Sequence, residues 1–365
     1  MNVEYTVLKR GFDLHKKEYE DAALRALRSG WYIMGPELDA FEKEFASYTG
    51  TGYCVGLNSG TDALILAFRA LGIGPGDEVI VPAGTYIASV IGITESGATP
   101  VFVDSDEYLL MDADQIENKI TERTKAILPV HLYGQACRMD KIAELAKKYG
   151  LYIVEDCAQS HGATWRGKKT GTFGTIGCFS FYPTKPLGAF GDAGAIVTDD
   201  AVLAEKIRML RNYGSKIKYY NEMNGLNSRL DEVQAALLRT GLTFIDDGNA
   251  ERIRIAEKYL KEIRNKSVKL PAVAEGASDV YHLFPVLVDD RDGLQQYLLE
   301  NGVKTQVHYP IPPYVAECYK SWNLDWEDFP NASYIAQHEL SLPIYAGMPE
   351  DEIVWVIEMV NKYQG

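Results

Sequence analysis

From about Tyr53 to Asp199, short β-branched runs alternate with segments whose apolar positions recur at helical spacing. Tyr53–Leu57 reads as a strand, and Gly60–Leu71 as a helix with Ala63, Leu64, Ala67, Phe68 and Leu71 on one face. The same periods give strands at Glu78–Pro82, Thr99–Val103, Lys125–Val130 and Leu151–Glu155. Helices are predicted over Tyr86–Ser96, Asp112–Ile120 and Met139–Tyr149. Strands separated by helices imply crossover units, and hence a mostly parallel sheet covered on both faces. Cys178–Tyr182 and Gly194–Thr198 read as two more strands; the glycine-rich turn between them suggests an antiparallel pair.

Beyond Asp200 the pattern changes. Val202–Arg211 and Asp231–Thr240 are helical, and Asn212–Asn227 between them is polar and aromatic. A long charged helix, about Asp246 to Lys266, leads into strand Val280–Val288, helix Arg291–Asn301, strand Thr305–Tyr309 and helix Glu350–Lys362. The expected division is a large domain over 1–245 and a smaller α/β domain over 246–365. In open α/β sheets, ligands gather beyond the carboxyl ends of the strands.

Charge narrows the choice of partners. The chain has 365 residues and a formal charge of −14, with no basic run to offset it, which disfavours a phosphate-backbone partner. No apolar run reaches the roughly 20 residues of a membrane span. The polar start MNVEYTVLKRGFDLHKKEYE lacks the apolar stretch of a signal peptide. Five scattered cysteines without a C-x-x-C read as reduced thiols of a cytoplasmic protein. The six histidines never pair at metal spacing, so no metal is expected, and His131 reads as a polar residue at a strand end. Gly72-Ile73-Gly74-Pro75-Gly76 precedes a strand instead of following one, so it is a turn and not a dinucleotide fingerprint.

Three clusters carry chemistry. Asn58-Ser59-Gly60-Thr61-Asp62 lies at a strand-to-helix junction, where free N–H groups and the helix dipole attract an anion; a plain helix cap would use the same residues. Asp156 closes an apolar strand and can reach a cleft or cap the next segment. Ser160 and His161 nearby invite a hydrolase reading, but no G-x-S-x-G elbow supports it. Lys185 sits in the apolar, glycine-flanked loop Phe179–Gly194. Desolvation there would lower its pKa and yield a nucleophilic amine, whereas an ordinary solvated lysine is the alternative. An anion cradle, a strand-end aspartate and a lysine in a dry loop are together the parts that pyridoxal phosphate requires.

In order and spacing these clusters, with Asn227-Ser228-Arg229-Leu230-Asp231-Glu232 and Val307-His308-Tyr309-Pro310, resemble the fold-type I (aspartate-aminotransferase-like) pyridoxal-phosphate enzymes. More narrowly, the chain resembles the DegT/DnrJ/EryC1/StrS sugar aminotransferases over nearly its whole length. The resemblance implies a large domain with a mostly parallel seven-stranded sheet. It implies that Lys185 binds the cofactor aldehyde and shuttles a proton, that Asp156 pairs with the pyridinium, and that Gln159 meets the phenolic oxygen. Ser59, Gly60, Thr61 and Ser180 would hold the phosphate, Tyr86 would stack on the ring, and Asn227 would reach the phosphate from the neighbouring subunit of a homodimer. Tyr32, Tyr182, Lys218, Tyr219, Arg229, His308 and Tyr309 would face the substrate. The form Phe181-Tyr182-Pro183-x-Lys185-x-Leu187-Gly188 looks like members that aminate C-3, with Tyr182 where many C-4 nucleotide-sugar aminotransferases, a further alternative, carry His; the stretch Tyr213–Tyr220 resembles members that move an amino group from L-glutamate to a dTDP-3-oxo-6-deoxyhexose. Pro186 also occurs in relatives that aminate UDP-linked 3-oxo sugars, and Pro313-Tyr314 replaces a frequent Leu-His pair. Other pyridoxal enzymes are the same-fold alternative. A cofactor-binding sensor would need a DNA-binding module, and the chain has no spare basic segment for one.

Overall fold

The computed structural model describes residues 1–365. Helices α1 (Leu8–Leu14), α2 (Lys16–Ser29) and α3 (Pro36–Thr49) precede β1 (Tyr53–Leu57) and α4 (Gly60–Leu71). Then come β2 (Glu78–Pro82), α5 (Ile87–Thr94), β3 (Thr99–Val103), β4 (Thr124–Ile127), α6 (Met139–Tyr149) and β5 (Tyr152–Asp156). A two-residue hairpin, β6 (Thr164–Trp165) with β7 (Lys168–Lys169), leads to β8 (Ile176–Ser180) and β9 (Gly194–Thr198). Seven strands form one sheet in the order β1-β9-β8-β5-β4-β2-β3. Only β9 runs against the rest, because the turn carrying Lys185 returns it beside β8. The anticipated antiparallel pair is therefore present inside a mostly parallel sheet.

After β9 follow α7 (Ala201–Leu210), the exposed hairpin β10 (Ser215–Ile217) and β11 (Tyr220–Asn221), α8 (Glu232–Leu242) and the long α9 (Ile245–Glu262). The last part comprises β12 (Phe284–Leu287), α10 (Arg291–Glu300), α11 (Pro330–His338), β13 (Glu339–Leu342) and α12 (Glu350–Lys362), with β12 and β13 antiparallel. Apolar side chains pack on both faces of the large sheet: Leu64, Phe68, Val90 and Ile207 on one side, Ile142, Leu145 and Met139 on the other. A separate core joins α9, α10, α12, β12 and β13 through Ile255, Tyr259, Phe284, Leu294 and Val356. Val3 belongs to it, bridging Val303 in parallel register. No helix is long and apolar enough to cross a membrane.

Three expected elements differ. Asp112–Ile120 is not a helix, because the Asp112 carboxylate accepts the Asp114 N–H at 2.9 Å and the Gln115 amide at 2.8 Å, which favours a turn; one 3₁₀ turn remains at Glu117–Lys119. Thr305–Tyr309 makes only an isolated bridge, Gln306 to Ser341, since the His308 N–H turns to the Glu339 carboxylate. The strand expected over Val280–Val288 shortens to Phe284–Leu287, as Val280 donates to the Gly134 carbonyl and Tyr281 has a φ of 47°. Helices α1, α2, α3 and α11 and strand β13 had no counterpart in the periodicity reading.

The strand that ends at Ser180 is braced from below. Phe45 of α3 lies edge-on to Phe179 and Phe181, with centroids 5.0 and 5.2 Å away, and all three are buried. Removing such a ring leaves a cavity that the sheet cannot close. Phe45→Ala is expected to cost about 3–5 kcal/mol in a chemical-denaturation measurement; a loss below 1 kcal/mol would show that α3 is not a brace.

Candidate active site

The carboxyl ends of β5 and β8 and the start of α4 open into one cavity of about 1020 Å³. Ser59, Gly60, Thr61, Tyr86, Asp156, Gln159, Ser180, Tyr182, Lys185, His308 and Tyr309 all line it.

At the α4 end, Ser59 caps the helix by accepting the Asp62 N–H at 3.1 Å. That leaves the N–H groups of Gly60 and Thr61 among the unpaired donors that a helix start presents. Gly60 is required by space: a Cβ there would sit 2.5 Å from Ser180 Cβ. Gly194, opening β9, is equally constrained, since its Cβ would meet the Ser59 carbonyl at 2.3 Å. Three segments distant in sequence thus close on one anion-sized cradle carrying the Ser180 hydroxyl.

Asp156 ends β5 and is buried. Its Oδ2 accepts from Ser89 Oγ at 2.8 Å and its Oδ1 from the Ala158 N–H at 3.1 Å. Burial pushes its carboxyl up; these two hydrogen bonds and the Lys185 charge oppose the rise. Desolvation holds the Lys185 amine down to about 8, and Asp156 works against that fall. The two charges feel each other without forming an ion pair, which leaves room for a molecule between them.

Gln159 is anchored by two hydrogen bonds: its Oε1 accepts the Tyr133 N–H at 2.6 Å and its Nε2 donates to Tyr309 Oη at 3.0 Å. Tyr86 and Tyr309 face each other with centroids 4.9 Å apart. His308 donates or accepts at Nδ1 with Ser341 Oγ, 2.9 Å away, and burial beside Lys185 lowers its pKa to about 4.

Five residues expected at the site do not line this cavity: Tyr32, Lys218, Tyr219, Asn227 and Arg229. Tyr32, Lys218, Tyr219 and Asn227 are exposed, with Lys218 and Tyr219 at the tip of the β10–β11 hairpin. The guanidinium of Arg229 lies over the Tyr213 ring and donates to Asn212 at 3.3 Å. Nothing in a single chain brings these five to Lys185.

The hydrolase reading fails on geometry. Neither ring nitrogen of buried His161 has a hydrogen-bond partner, and Ser160 pairs with Thr170 at 3.0 Å. His131, Glu155 and Cys157 converge closely enough to suggest a metal site. However, His131 Nδ1 accepts the Cys137 N–H at 3.0 Å, so its Nε2 carries the proton given to Glu155 at 3.1 Å. Glu155 also takes the N–H groups of Gly171, Phe173 and Gly174 at 2.7–2.8 Å, which fixes the loop below β8. This is a structural network.

Sequence reasoning missed Ser89 and the α1 residues on the cavity wall. Ser89 had one signal, its place one turn beyond Thr85, to which it is bonded at 2.9 Å. The α1 residues had none.

The model of the DegT/DnrJ/EryC1/StrS aminotransferase family matches residues 13–361. The chain belongs to this family. It is 51% identical over 350 residues to the dTDP-3-amino-3,6-dideoxy-alpha-D-galactopyranose transaminase of Aneurinibacillus thermoaerophilus, covering 96% of each chain. It is 46% identical to the dTDP-3-amino-3,4,6-trideoxy-alpha-D-glucose transaminase of Streptomyces venezuelae, covering 99% of this chain and 96% of that one. The crystal structure of S. venezuelae DesV superposes with a TM-score of 0.97 at 46% identity, over 99% and 98% of the two chains. The fold is that of the fold-type I aminotransferases. The cofactor of the family is pyridoxal phosphate. The residues present fit it: an open helix start with a cradle that a Cβ would fill, a buried carboxylate, and a lysine amine held near neutrality.

Because Asp156 is what holds the Lys185 amine up, Asp156→Asn should move its titration midpoint from near 8 to a lower pH. The pH dependence of acylation of Lys185 in the cofactor-free chain measures this; an unchanged or higher midpoint would break the coupling.

Proposed function

We propose that this aminotransferase moves an amino group from L-glutamate to C-3 of a dTDP-3-oxo-6-deoxyhexose, giving a dTDP-3-amino-3,6-dideoxyhexose for deoxyamino-sugar biosynthesis. The observation that carries the reading is Lys185 facing Asp156 across a cavity that also holds a helix start, in a chain half identical to a dTDP-3-amino-sugar transaminase. When bound, the cofactor supplies an aldehyde for the amine and an electron-poor ring that stores the pair released when a proton leaves the substrate carbon. Asp156 keeps a proton on the ring nitrogen; its burial makes that pairing strong. The N–H groups of Gly60 and Thr61, with the hydroxyls of Ser59 and Ser180, bind the phosphate. Gln159 meets the phenolic oxygen through the free hydrogen of its anchored amide, and Tyr86 covers the ring. Lys185 Nζ, its pKa lowered by desolvation so that part of it is free amine near neutral pH, would move a proton between the substrate carbon and the cofactor carbon, in opposite directions for the amino donor and the sugar.

Tyr182, His308 and Tyr309 contact the hexose from within the chain. Tyr32, Lys218, Tyr219, Asn227 and Arg229 serve the cavity of the opposite subunit, so the working unit is a homodimer with shared sites. The exposure of Tyr32, Lys218, Tyr219 and Asn227, together with that of the aromatic side chains Trp31, Tyr213 and Tyr220, supports this, since exposed apolar patches mark interaction sites. Residues 1–245 then form the cofactor-binding domain and 246–365 the small domain, in a cytoplasmic enzyme.

Lys185→Ala should lose the absorption band of the lysine-bound cofactor, with turnover falling more than about a thousandfold. Offering dTDP- and UDP-linked 3-oxo and 4-oxo hexoses to the wild-type enzyme decides the sugar; efficient use of a 2-oxo acid in their place would defeat the proposal. Site sharing has its own readout. Hybrid dimers of Lys185→Ala and Asn227→Ala chains should recover one intact site, hence half of wild-type activity per dimer. Activity no higher than that of the Asn227→Ala enzyme would mean that each site is closed within one chain.

A further inference from the structure

A buried carboxylate stands behind the cavity and has no part in the roles given above. Glu339, first residue of β13, is fully buried. Its Oε2 accepts the His308 N–H at 2.5 Å, and its Oε1 lies 2.5 Å from Ser341 Oγ. Ser341 Oγ in turn lies 2.9 Å from His308 Nδ1. A continuous chain therefore runs from Glu339 through Ser341 to the imidazole. Nε2 of His308 is left without a protein partner, on a residue that lines the cavity. Tyr133 Oη donates to the His308 carbonyl at 2.6 Å, so the backbone is pinned at both ends.

We propose that Glu339 and Ser341 form a positioning relay that selects the tautomer of His308, so that its ring offers an Nε2–H donor to an oxygen of the sugar. The hydrogen bonds decide the alternatives. With a proton on Glu339 Oε1, the carboxyl donates to Ser341, Ser341 donates to His308 Nδ1, and the imidazole proton lies on Nε2. With Glu339 ionised, Ser341 donates to the carboxylate, Nδ1–H donates to Ser341, and Nε2 becomes an acceptor. Each state satisfies every member of the chain, so one proton on Glu339 sets the polarity of a ring nitrogen on the cavity wall.

Burial pushes the Glu339 carboxyl up to about 8, against the Ser341 and His308 hydrogen bonds and the charge of Arg291 on α10. Tyr5 from the N-terminal segment, Tyr133 and Tyr309 also face it, and all three are kept neutral by burial. Facing His308 are Lys185 and His282, besides Tyr5 and Tyr309. The imidazole itself stays neutral, so a change of tautomer rather than of charge follows Glu339. The donor form holds at neutral pH and is lost as pH rises through about 8.

The proposal rests on the cavity taking a keto-sugar, and the test separates the two. In the ¹⁵N-histidine-labelled holoenzyme, the His308 signals should show Nε2–H at neutral pH and shift toward Nδ1–H above about pH 8. Glu339→Gln, whose amide accepts the His308 N–H and donates to Ser341, should lock Nε2–H at all pH. Ser341→Ala should uncouple the ring from pH altogether. In single turnovers of the aminated enzyme with keto-sugar, wild-type kcat/KM should fall about tenfold per pH unit above the transition, through KM, and Glu339→Gln should abolish that fall. The half-reaction with the amino donor should show no difference between the two proteins. A wild-type tautomer that ignores pH, a Glu339→Gln profile identical to wild type, or equal losses in both half-reactions would overturn the relay. Failure of the substrate reading shows instead as a wild-type enzyme that turns over no keto-sugar.

Discussion

An amine and a carboxylate, both desolvated by burial and lining one cavity without touching, are the condition on which this structure turns. Burial pushes Lys185 toward its neutral amine and Asp156 toward its neutral acid; the carboxylate opposes the first shift, and the Ser89 and Ala158 hydrogen bonds, then the Lys185 charge, oppose the second. Moving them into contact would satisfy both and leave nothing to bind between them. Holding them apart requires rigid mounts, and each has one: Asp156 at the tip of β5, fastened by Ser89 and the Ala158 N–H, and Lys185 in the turn that sends β9 back beside β8.

Those mounts are built largely from buried carboxylates that collect backbone N–H groups. Glu155 gathers the Gly171–Gly174 loop below β8. Glu232 takes the N–H groups of Gly35, Glu37 and Leu38 and so caps α3, the helix whose Phe45 braces β8. Asp104 does the same for Asn331 and Ala332 at the start of α11. A carboxylate that accepts two or three such bonds replaces the water those groups would otherwise need. This is how an acidic chain places several of its carboxylates inside without repelling itself apart.

Much of this was legible in the sequence, for a physical reason. Strand and helix periods are local, so β1, β2, β3 and β9 and helices α4, α6 and α12 could be read from their own residues. Asp156 closes an apolar strand, Ser59 and Gly60 open a helix, and Lys185 lies in an apolar loop, so these could be singled out from local pattern, whereas Gln159 and Ser180 were suggested only by the family resemblance. What stayed hidden depends on partners far along the chain. Strand β13 is only four residues long and is defined by pairing with β12. Helix α11 begins at a proline and is capped by an aspartate 227 residues earlier. The Asp112–Ile120 segment has helical spacing, yet one aspartate side chain turned it aside. No periodicity could show that Tyr32, Lys218, Tyr219, Asn227 and Arg229 point away from their own cavity.

The parallel bridge between Val3 and Val303 joins two segments three hundred residues apart in sequence. Val3 sits in the C-terminal core, and Tyr5 lies 5.8 Å from the His308 ring. During synthesis, the segment around Val3 and Tyr5 must therefore wait, unpaired, until some three hundred further residues have been made. The sugar-facing wall of the cavity can take its final shape only then, so a nascent chain has a sheet well before it has a site.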